Sequence, residues 1–149
     1  MQLSALPHLE LAASVYATIF IGFGILWFVN PAVALSFFEL PYPPQTPPKT
    51  RAAKDRPDAK ETIDVIGAAY GARDIFMGAA IYAAALCGTR LALGWITVAA
   101  GCVAAVDGAV CKFMVGKGHM NHWGYAPVLV VLGGVMVGGF DWVPVERFF

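Results

Sequence analysis

The stretch GAAYGARDIFMGAAIYAAAL, residues 67–86, decides the fold, because it is apolar enough to cross a bilayer and yet holds Arg73 and Asp74 near its middle. A transmembrane helix needs about 20 mainly apolar residues. Four runs approach that length, and they cover residues 11–29, 62–86, 91–113 and 123–140. The pattern predicts an all-α integral membrane four-helix bundle that forms a single domain over residues 1–149.

The composition indicates that lipid is the main solvent of the chain. Of its residues, 58% are hydrophobic and 13% are charged, whereas an ordinary soluble domain has roughly 25% charged residues. The net charge is zero and no basic stripe is present, so nucleic-acid binding is excluded. The three cysteines Cys87, Cys102 and Cys111 form no C-x-x-C pair, and we interpret them as packing residues.

The first apolar run is followed by Ala-Val-Ala at residues 32–34, which imitates a signal-peptide cleavage site. It has no positively charged segment before it and carries Glu10 instead. These features favour a retained helix over a cleaved signal peptide.

Basic residues are distributed unequally between the predicted loops. Seven belong to the first and third connections, namely Lys49, Arg51, Lys54, Arg56, Lys60, Lys112 and Lys117. Arg90 and Arg147 lie on the opposite side, so the positive-inside rule predicts cytosolic loops and lumenal termini, with the endoplasmic reticulum as the expected membrane.

The first connection, at about residues 32–60, is rich in proline. It is predicted to be an extended spacer, and a mobile lid over a cytosolic opening is the alternative.

Glycines recur every seven residues in two of the predicted crossings. Gly71 and Gly78 lie in the second, and Gly94, Gly101 and Gly108 lie in the third; Gly133, Gly134 and Gly138 follow in the fourth without that spacing. Small residues let helix backbones approach each other closely in lipid. The pattern therefore predicts a compact bundle, either within one chain or duplicated in a homodimer.

Three ionisable residues inside the predicted crossings carry the functional prediction, because a charge near the bilayer centre costs roughly 2.5 to 3.5 kcal/mol. Asp74 beside Arg73 and Asp107 are predicted at comparable depths on neighbouring antiparallel helices. One arginine neutralises one carboxylate, and burial favours the protonated form of the other. An acid beside a carboxylate suits concerted acid–base catalysis. The alternative is an Arg73–Asp107 ion pair that only holds two helices in register.

Polar and aromatic residues are predicted to line this site and bind the substrate. Tyr70 is four residues before Asp74 and shares its helix face, and His122 and Trp123 lie on the same cytosolic side as Asp107. His119 and His122 have a spacing seen in metal sites, but no further ligand is evident, so neither a metal nor a cofactor is predicted. The chain has no G-x-S-x-G motif, phosphate loop or dinucleotide fingerprint, which argues against serine nucleophiles and nucleotide-driven work.

Several short segments together carry a family resemblance. They are Trp27-Phe28-Val29-Asn30-Pro31, Phe38-Glu39-Leu40-Pro41, Gly71-Ala72-Arg73-Asp74 with Gly78, Asp107-Gly108 and His122-Trp123. With them the chain resembles a family of small fungal four-helix membrane proteins long labelled only as a domain of unknown function. That family includes epoxide hydrolases of aurovertin-type and citreoviridin-type polyketide pathways, which act with a flavin monooxygenase. The resemblance implies an enzyme that opens polyketide epoxides and assists their cyclisation to oxygen heterocycles.

The set Asp74, Arg73 and Asp107 is also similar in chemistry to the Asp-Arg-Asp set of soluble limonene-type epoxide hydrolases, which use water without a covalent intermediate. The similarity implies that one carboxylic acid protonates the oxirane oxygen, the other carboxylate activates water or an internal hydroxyl, and arginine orients both. It leaves open which aspartate takes which role. The expected substrate is an apolar epoxide within membrane lipid. The alternatives are a membrane terpene-epoxide cyclase and a non-catalytic lipid-binding or scaffold protein.

Overall fold

The computed structural model describes residues 3–44 and 58–141, and within these ranges all regular secondary structure is helical. A short 3-10 helix at Leu3–Ala5 precedes α1 (His8–Val29), α2 (Pro31–Ser36), α3 (Ala59–Cys87), α4 (Arg90–Val110), α5 (Met120–Trp123) and α6 (Ala126–Met136). A π-helical turn at Cys111–Val115 extends α4. The prediction of an all-α chain is confirmed for the described residues.

Asn30 and Pro31 separate α1 from α2. The side chain of Asn30 accepts a hydrogen bond from the backbone N–H of Val33 at 3.2 Å and caps α2. Pro31 lacks the N–H that would continue α1, but it is well suited to the first turn of the next helix. The chain therefore turns back after Val29, and Phe38 packs against Trp27 with ring centroids 6.2 Å apart.

Polar caps also define α3 and α4. The side chain of Asp58 accepts a hydrogen bond from the N–H of Glu61 at 2.7 Å, and that of Thr89 accepts one from Ala92 at 3.2 Å. Such caps satisfy donors that a helix start leaves free. Because α3 ends at Cys87 and α4 begins at Arg90, the two helices run antiparallel, and Arg90 lies in the short turn where the sequence places it.

The bundle consists of two closely packed helix pairs, α1 with α3 and α4 with α6. Gly24 of α1 faces Gly71 of α3, and a Cβ on Gly24 would lie 2.5 Å from the carbonyl oxygen of Gly71. A Cβ on Gly133 of α6 would lie equally close, 2.5 Å, to the carbonyl oxygen of Gly94. The close backbone approach predicted from the glycines is confirmed in both pairs.

The interior contains many small side chains, while large apolar side chains face outward. Alanines at positions 13, 17, 100 and 104 are at most 3% exposed, whereas Phe28, Phe76, Trp95 and Phe113 are 57%, 72%, 59% and 82% exposed. The three cysteines are also divided between the interior and the surface. Cys111 is buried as predicted, but Cys87 and Cys102 are exposed, so the packing interpretation holds within this chain only for Cys111.

Two described helices are long and apolar enough to cross a membrane, α1 and the continuous segment Arg90–Val115. Helix α3 has 29 residues but carries several charges along its length. The fourth predicted crossing, residues 123–140, does not form one helix. Its main helix, α6, has 11 residues, which span about 16 Å of a hydrocarbon core of about 30 Å. Gly138, with φ +84°, belongs to the turn after α6 and not to a helix contact.

The described ends of the chain meet beside the α3–α4 turn. The Arg90 guanidinium donates to the carbonyl oxygens of Ser4 and Leu6 and to the Glu10 carboxylate, the last at 2.9 Å. The backbone N–H and hydroxyl of Ser4 donate to Asp141 at 3.0 and 2.6 Å. Both ends therefore lie at one end of the bundle. The basic residues Lys49, Arg51, Lys54, Arg56 and Arg147 lie outside the described residues.

Candidate active site

Arg73 joins two carboxylates inside the bundle, that of Asp74, which is buried, and that of Asp107, which is partly buried. Its Nη1 and Nη2 donate to Asp107 Oδ1 and Oδ2 at 3.2 and 2.8 Å, and Nη2 also donates to Asp74 Oδ1 at 3.3 Å. The predicted approach of Asp74 and Asp107, with Arg73 between them, is confirmed. The shorter bonds go to Asp107, so Asp107 is the principal partner of the guanidinium.

Contact with Tyr70 explains how Arg73 reaches the same site as its neighbour Asp74, although adjacent residues on a helix point in different directions. The guanidinium of Arg73 folds back over the Tyr70 ring, with 3.7 Å between its Cζ and the ring centroid. A cation over an aromatic face is favourable. The Tyr70 hydroxyl in turn donates to Asp107 Oδ2 at 2.6 Å. Asp107 thus accepts three hydrogen bonds from α3, and both of its oxygens are occupied.

Asp74 has fewer hydrogen-bond partners than Asp107. It is 5% exposed, and among the described residues only Arg73 bonds to it, through Oδ1 at 3.3 Å. Its Oδ2 has no hydrogen-bond partner in the described part of the chain. Because Asp74 also lines a cavity, this oxygen is available to a molecule bound there.

The cavity lies among the first four helices and α5, and its lining is mostly aromatic. Its volume is about 30 Å³, enough for one or two water molecules. The polar lining residues are Tyr70, Asp74, Asp107, Asn121, His122 and Tyr125, and the apolar ones are Phe20, Phe23, Trp27, Ala34, Phe37, Phe38, Met77 and Ala104. A few polar groups in an apolar cavity are typical of a small-molecule site.

Two apolar grooves adjoin this cavity and share its walls. One, of about 190 Å³, lies along α1 and shares Phe23, Phe37 and Tyr125 with the cavity. The other, of about 240 Å³, lies between α3 and α4 and shares Phe38, Tyr70 and Asp107. Both grooves are lined mainly by apolar side chains, and Asp74 lines the cavity but neither groove.

His122 is the further polar residue that the structure brings into the site. Helix α5 buries its imidazole to 5% exposure, with ring centroids 4.9 Å from Phe38 and 6.4 Å from Tyr125. Neither ring nitrogen has a hydrogen-bond partner among the described residues. Burial lowers the pKa of His122 below its ordinary 6.5, an effect opposed by the nearby Asp107 carboxylate. Burial therefore favours the uncharged form of the imidazole.

Trp123, the third predicted substrate-binding residue, lies outside the cavity. Its indole Nε1 donates to the carbonyl oxygen of Ala105 at 3.0 Å, and its ring covers Gly108, where a Cβ would overlap it. Trp123 therefore fixes α5 on α4.

His119 packs edge-on against Trp123 with centroids 5.3 Å apart. No group of three His, Cys, Asp or Glu side chains suited to a metal occurs in the part of the chain that the structure describes.

Sequence reasoning missed most of the aromatic lining and Tyr125. Tyr125 is three residues after His122, a spacing that places both side chains on one face where the chain is helical. Phe37 had no such signal; its backbone carbonyl accepts a hydrogen bond from the Asn121 amide at 2.8 Å. That contact joins the segment after α2 to α5, and no sequence pattern predicts it.

A family model described as "Domain of unknown function (DUF4267)" matches residues 17–136. Neither the curated proteins nor the solved structures contain a match to the chain.

Proposed function

The chain belongs to the DUF4267 family, and from the geometry of its cavity we propose that it is a membrane-bound epoxide hydrolase or epoxide-opening cyclase for apolar polyketide-type substrates. One observation carries the proposal. Arg73 joins a buried and a partly buried carboxyl group, and the buried one, on Asp74, lines an aromatic cavity and has one oxygen without a partner among the described residues. A weakly paired buried carboxyl is a suitable general acid for an oxirane oxygen.

The distribution of side chains supports a membrane location. Small residues fill the helix contacts and large apolar residues such as Phe76 and Trp95 face outward, which is the arrangement expected in lipid. We place α3 as a further membrane crossing beside α1 and α4. Its charged residues Arg73 and Asp74 are compatible with lipid around the helix, because they bond to each other and Arg73 also bonds to Asp107. We place the termini in the lumen of the endoplasmic reticulum and the Pro-rich connection in the cytosol.

In the proposed reaction Asp74 donates its proton to the oxirane oxygen as the carbon–oxygen bond breaks. Asp107 remains a carboxylate because the Arg73 fork and the Tyr70 hydroxyl hold it. Water, or a hydroxyl group of the substrate, attacks the carbon that loses the oxygen, and the proton that this nucleophile releases is taken up in the cavity and returns to Asp74. Attack by water gives a diol, and attack by the internal hydroxyl gives an oxygen heterocycle. A flavin monooxygenase acting earlier is the expected source of the epoxide.

A terpene-epoxide cyclase would use the same acid, with a carbon–carbon double bond as the nucleophile. The grooves of about 190 and 240 Å³ accept either kind of chain. A purely structural ion pair is the non-catalytic alternative, because Arg73 and Asp107 connect α3 to α4. Loss of Asp74 separates the structural alternative from the two catalytic ones, and the kind of epoxide that is turned over separates the two catalytic ones from each other.

The test replaces Asp74 by Asn in the full-length chain in detergent or vesicles. Proton donation typically contributes 10² to 10⁴ in rate, so Asp74→Asn should lose about that factor on a polyene epoxide while its melting temperature stays close to wild type. Asp64→Asn is the matched control, because Asp64 lies on the same helix but bonds to Lys60 and Tyr42, away from the cavity.

Reaction in ¹⁸O-labelled water separates the two chemical outcomes. Label in the product indicates hydrolysis, and its absence indicates attack by the internal hydroxyl. Full activity of Asp74→Asn, or no turnover of epoxides by the wild-type chain, would refute the proposed function. A fall in melting temperature without a selective fall in rate would assign Asp74 to structure.

A further inference from the structure

We propose that His122 is the group that accepts the proton of the attacking hydroxyl, so that Asp74 and His122 form the acid–base pair and Asp107 is a positioning residue. This inference rests on the proposed epoxide opening and deepens it, because it assigns the second proton-transfer role. It also revises the expectation that the two aspartates divide the acid and base roles between them.

The surroundings of Asp107 argue against its acting as the base. Oδ1 accepts from Arg73 Nη1, and Oδ2 accepts from both Arg73 Nη2 and Tyr70. A proton arriving on either oxygen would disrupt the paired bonds to the guanidinium and leave the partly buried cation beside a neutral acid. Charge-assisted bonds of this kind are among the strongest in proteins. Both oxygens of Asp107 are therefore committed to these bonds, which fix Arg73 and Tyr70 in turn.

His122 has the properties that Asp107 lacks. Its imidazole lines the same cavity as Asp74, is 95% buried, and has both nitrogens without partners among the described residues. A buried polar group without a hydrogen bond is unfavourable, so a bound ligand is the natural partner for this ring. Phe38 and Tyr125 contact the ring in tilted arrangements, with interplanar angles of 48° and 50°.

The charge balance of the site agrees with this pair. In the resting state the Arg73–Asp107 pair is neutral, Asp74 carries its proton and His122 is uncharged. During opening, Asp74 gives its proton to the oxirane oxygen while the nucleophile gives its proton to His122. The product leaves a carboxylate at Asp74 and an imidazolium at His122, and the charges sum to zero before and after. Return of the proton from His122 to Asp74, directly or through water, regenerates the site.

The experiment compares His122→Gln and His122→Ala with His119→Gln in the full-length chain. His119 is the matched control, because it lies in the same segment and contacts Trp123 but does not line the cavity. Loss of a general base typically costs 10² to 10⁴ in rate. We expect both His122 variants to lose about that factor in kcat and His119→Gln to keep wild-type activity.

Chemical rescue separates a base from a structural residue. His122→Ala leaves space for imidazole, and added imidazole should restore part of its activity in a concentration-dependent way while leaving Asp74→Asn inactive. Activity of His122→Gln within about threefold of wild type would overturn the inference. Loss of activity in His122→Ala without any rescue, accompanied by a lower melting temperature, would also overturn it and assign His122 to packing.

The two proposals fail in different ways. If Asp74→Asn is inactive while His122→Gln is active, the epoxide-opening function stands and the role of His122 is wrong. If the wild-type chain opens no epoxide, or Asp74→Asn keeps its activity, the proposed function itself fails.

Discussion

The contact between Gly24 and Gly71 gives a prediction whose magnitude follows from the structure. A methyl group on Gly24 would lie 2.5 Å from the carbonyl oxygen of Gly71 and 2.8 Å from the backbone nitrogen of Ile75. Because both neighbours are backbone atoms, α1 must move away from α3 by roughly 1 Å to reach ordinary van der Waals separation. Overpacking of this kind typically costs about 1 to 3 kcal/mol.

Gly22 supplies the reference, because it lies on the same helix and a Cβ there would meet nothing within 4 Å. Both Gly→Ala changes gain the same helix propensity, about 1 kcal/mol, so the difference between the variants isolates the contact. For a chain of this size that difference corresponds to a melting temperature about 2 to 12 °C lower for Gly24→Ala than for Gly22→Ala.

Tryptophan fluorescence during heating of both detergent-solubilised variants measures the difference. Gly24→Ala should also disturb activity, since Trp27 lies one helical turn beyond Gly24 and lines the cavity. Equal melting temperatures for the two variants would refute the close packing of α1 on α3.

Tyr70→Phe removes a hydrogen bond to a charged acceptor, worth about 1.5 to 3 kcal/mol, so it should lower the melting temperature by about 3 to 12 °C in the same fluorescence assay. Because burial lowers the pKa of His122 below 6.5, the unfolded chain binds more protons than the folded chain as pH falls below that value. The melting temperature should therefore decline below about pH 6.5, and His122→Gln should flatten the decline. Glycosylation acceptors inserted in residues 49–60 should stay unmodified and those at the C-terminus should be modified; the reverse pattern would invert the orientation.

The central ion cluster was predictable from sequence for a physical reason. Charged side chains inside apolar helices must find one another, because lipid offers them no partner. Arg73, Asp74 and Asp107 are therefore brought together by their depth and by the antiparallel course of two helices. The glycine contacts were predictable on similar grounds, since glycine at regular helical spacing removes the side chains that would keep backbones apart.

The fourth crossing and the role of Trp123 were not predictable in the same way. Apolar composition is the same for a helix and for the turns that flank α6, so the run 123–140 gives no sign that its helix has only 11 residues. His122 and Trp123 are adjacent and equally plausible as lining residues. Which of them faces the cavity depends on the direction in which α5 begins, and the Trp123 contact with Gly108 settles it.

The division into two helix pairs has a consequence for substrate entry. Backbone-to-backbone contacts make each pair stiff, whereas α3 meets α4 over a smaller area and is tied to it by the Arg73–Asp107 bonds. On the proposed function, a chain-like substrate too large for a cavity of about 30 Å³ would enter by separating the two helix pairs where α3 meets α4. The Arg73–Asp107 bonds, which help to orient the acid, would then also hold the two helix pairs together. Variants that strengthen the contact between α3 and α4 should have a higher melting temperature and should admit substrate more slowly.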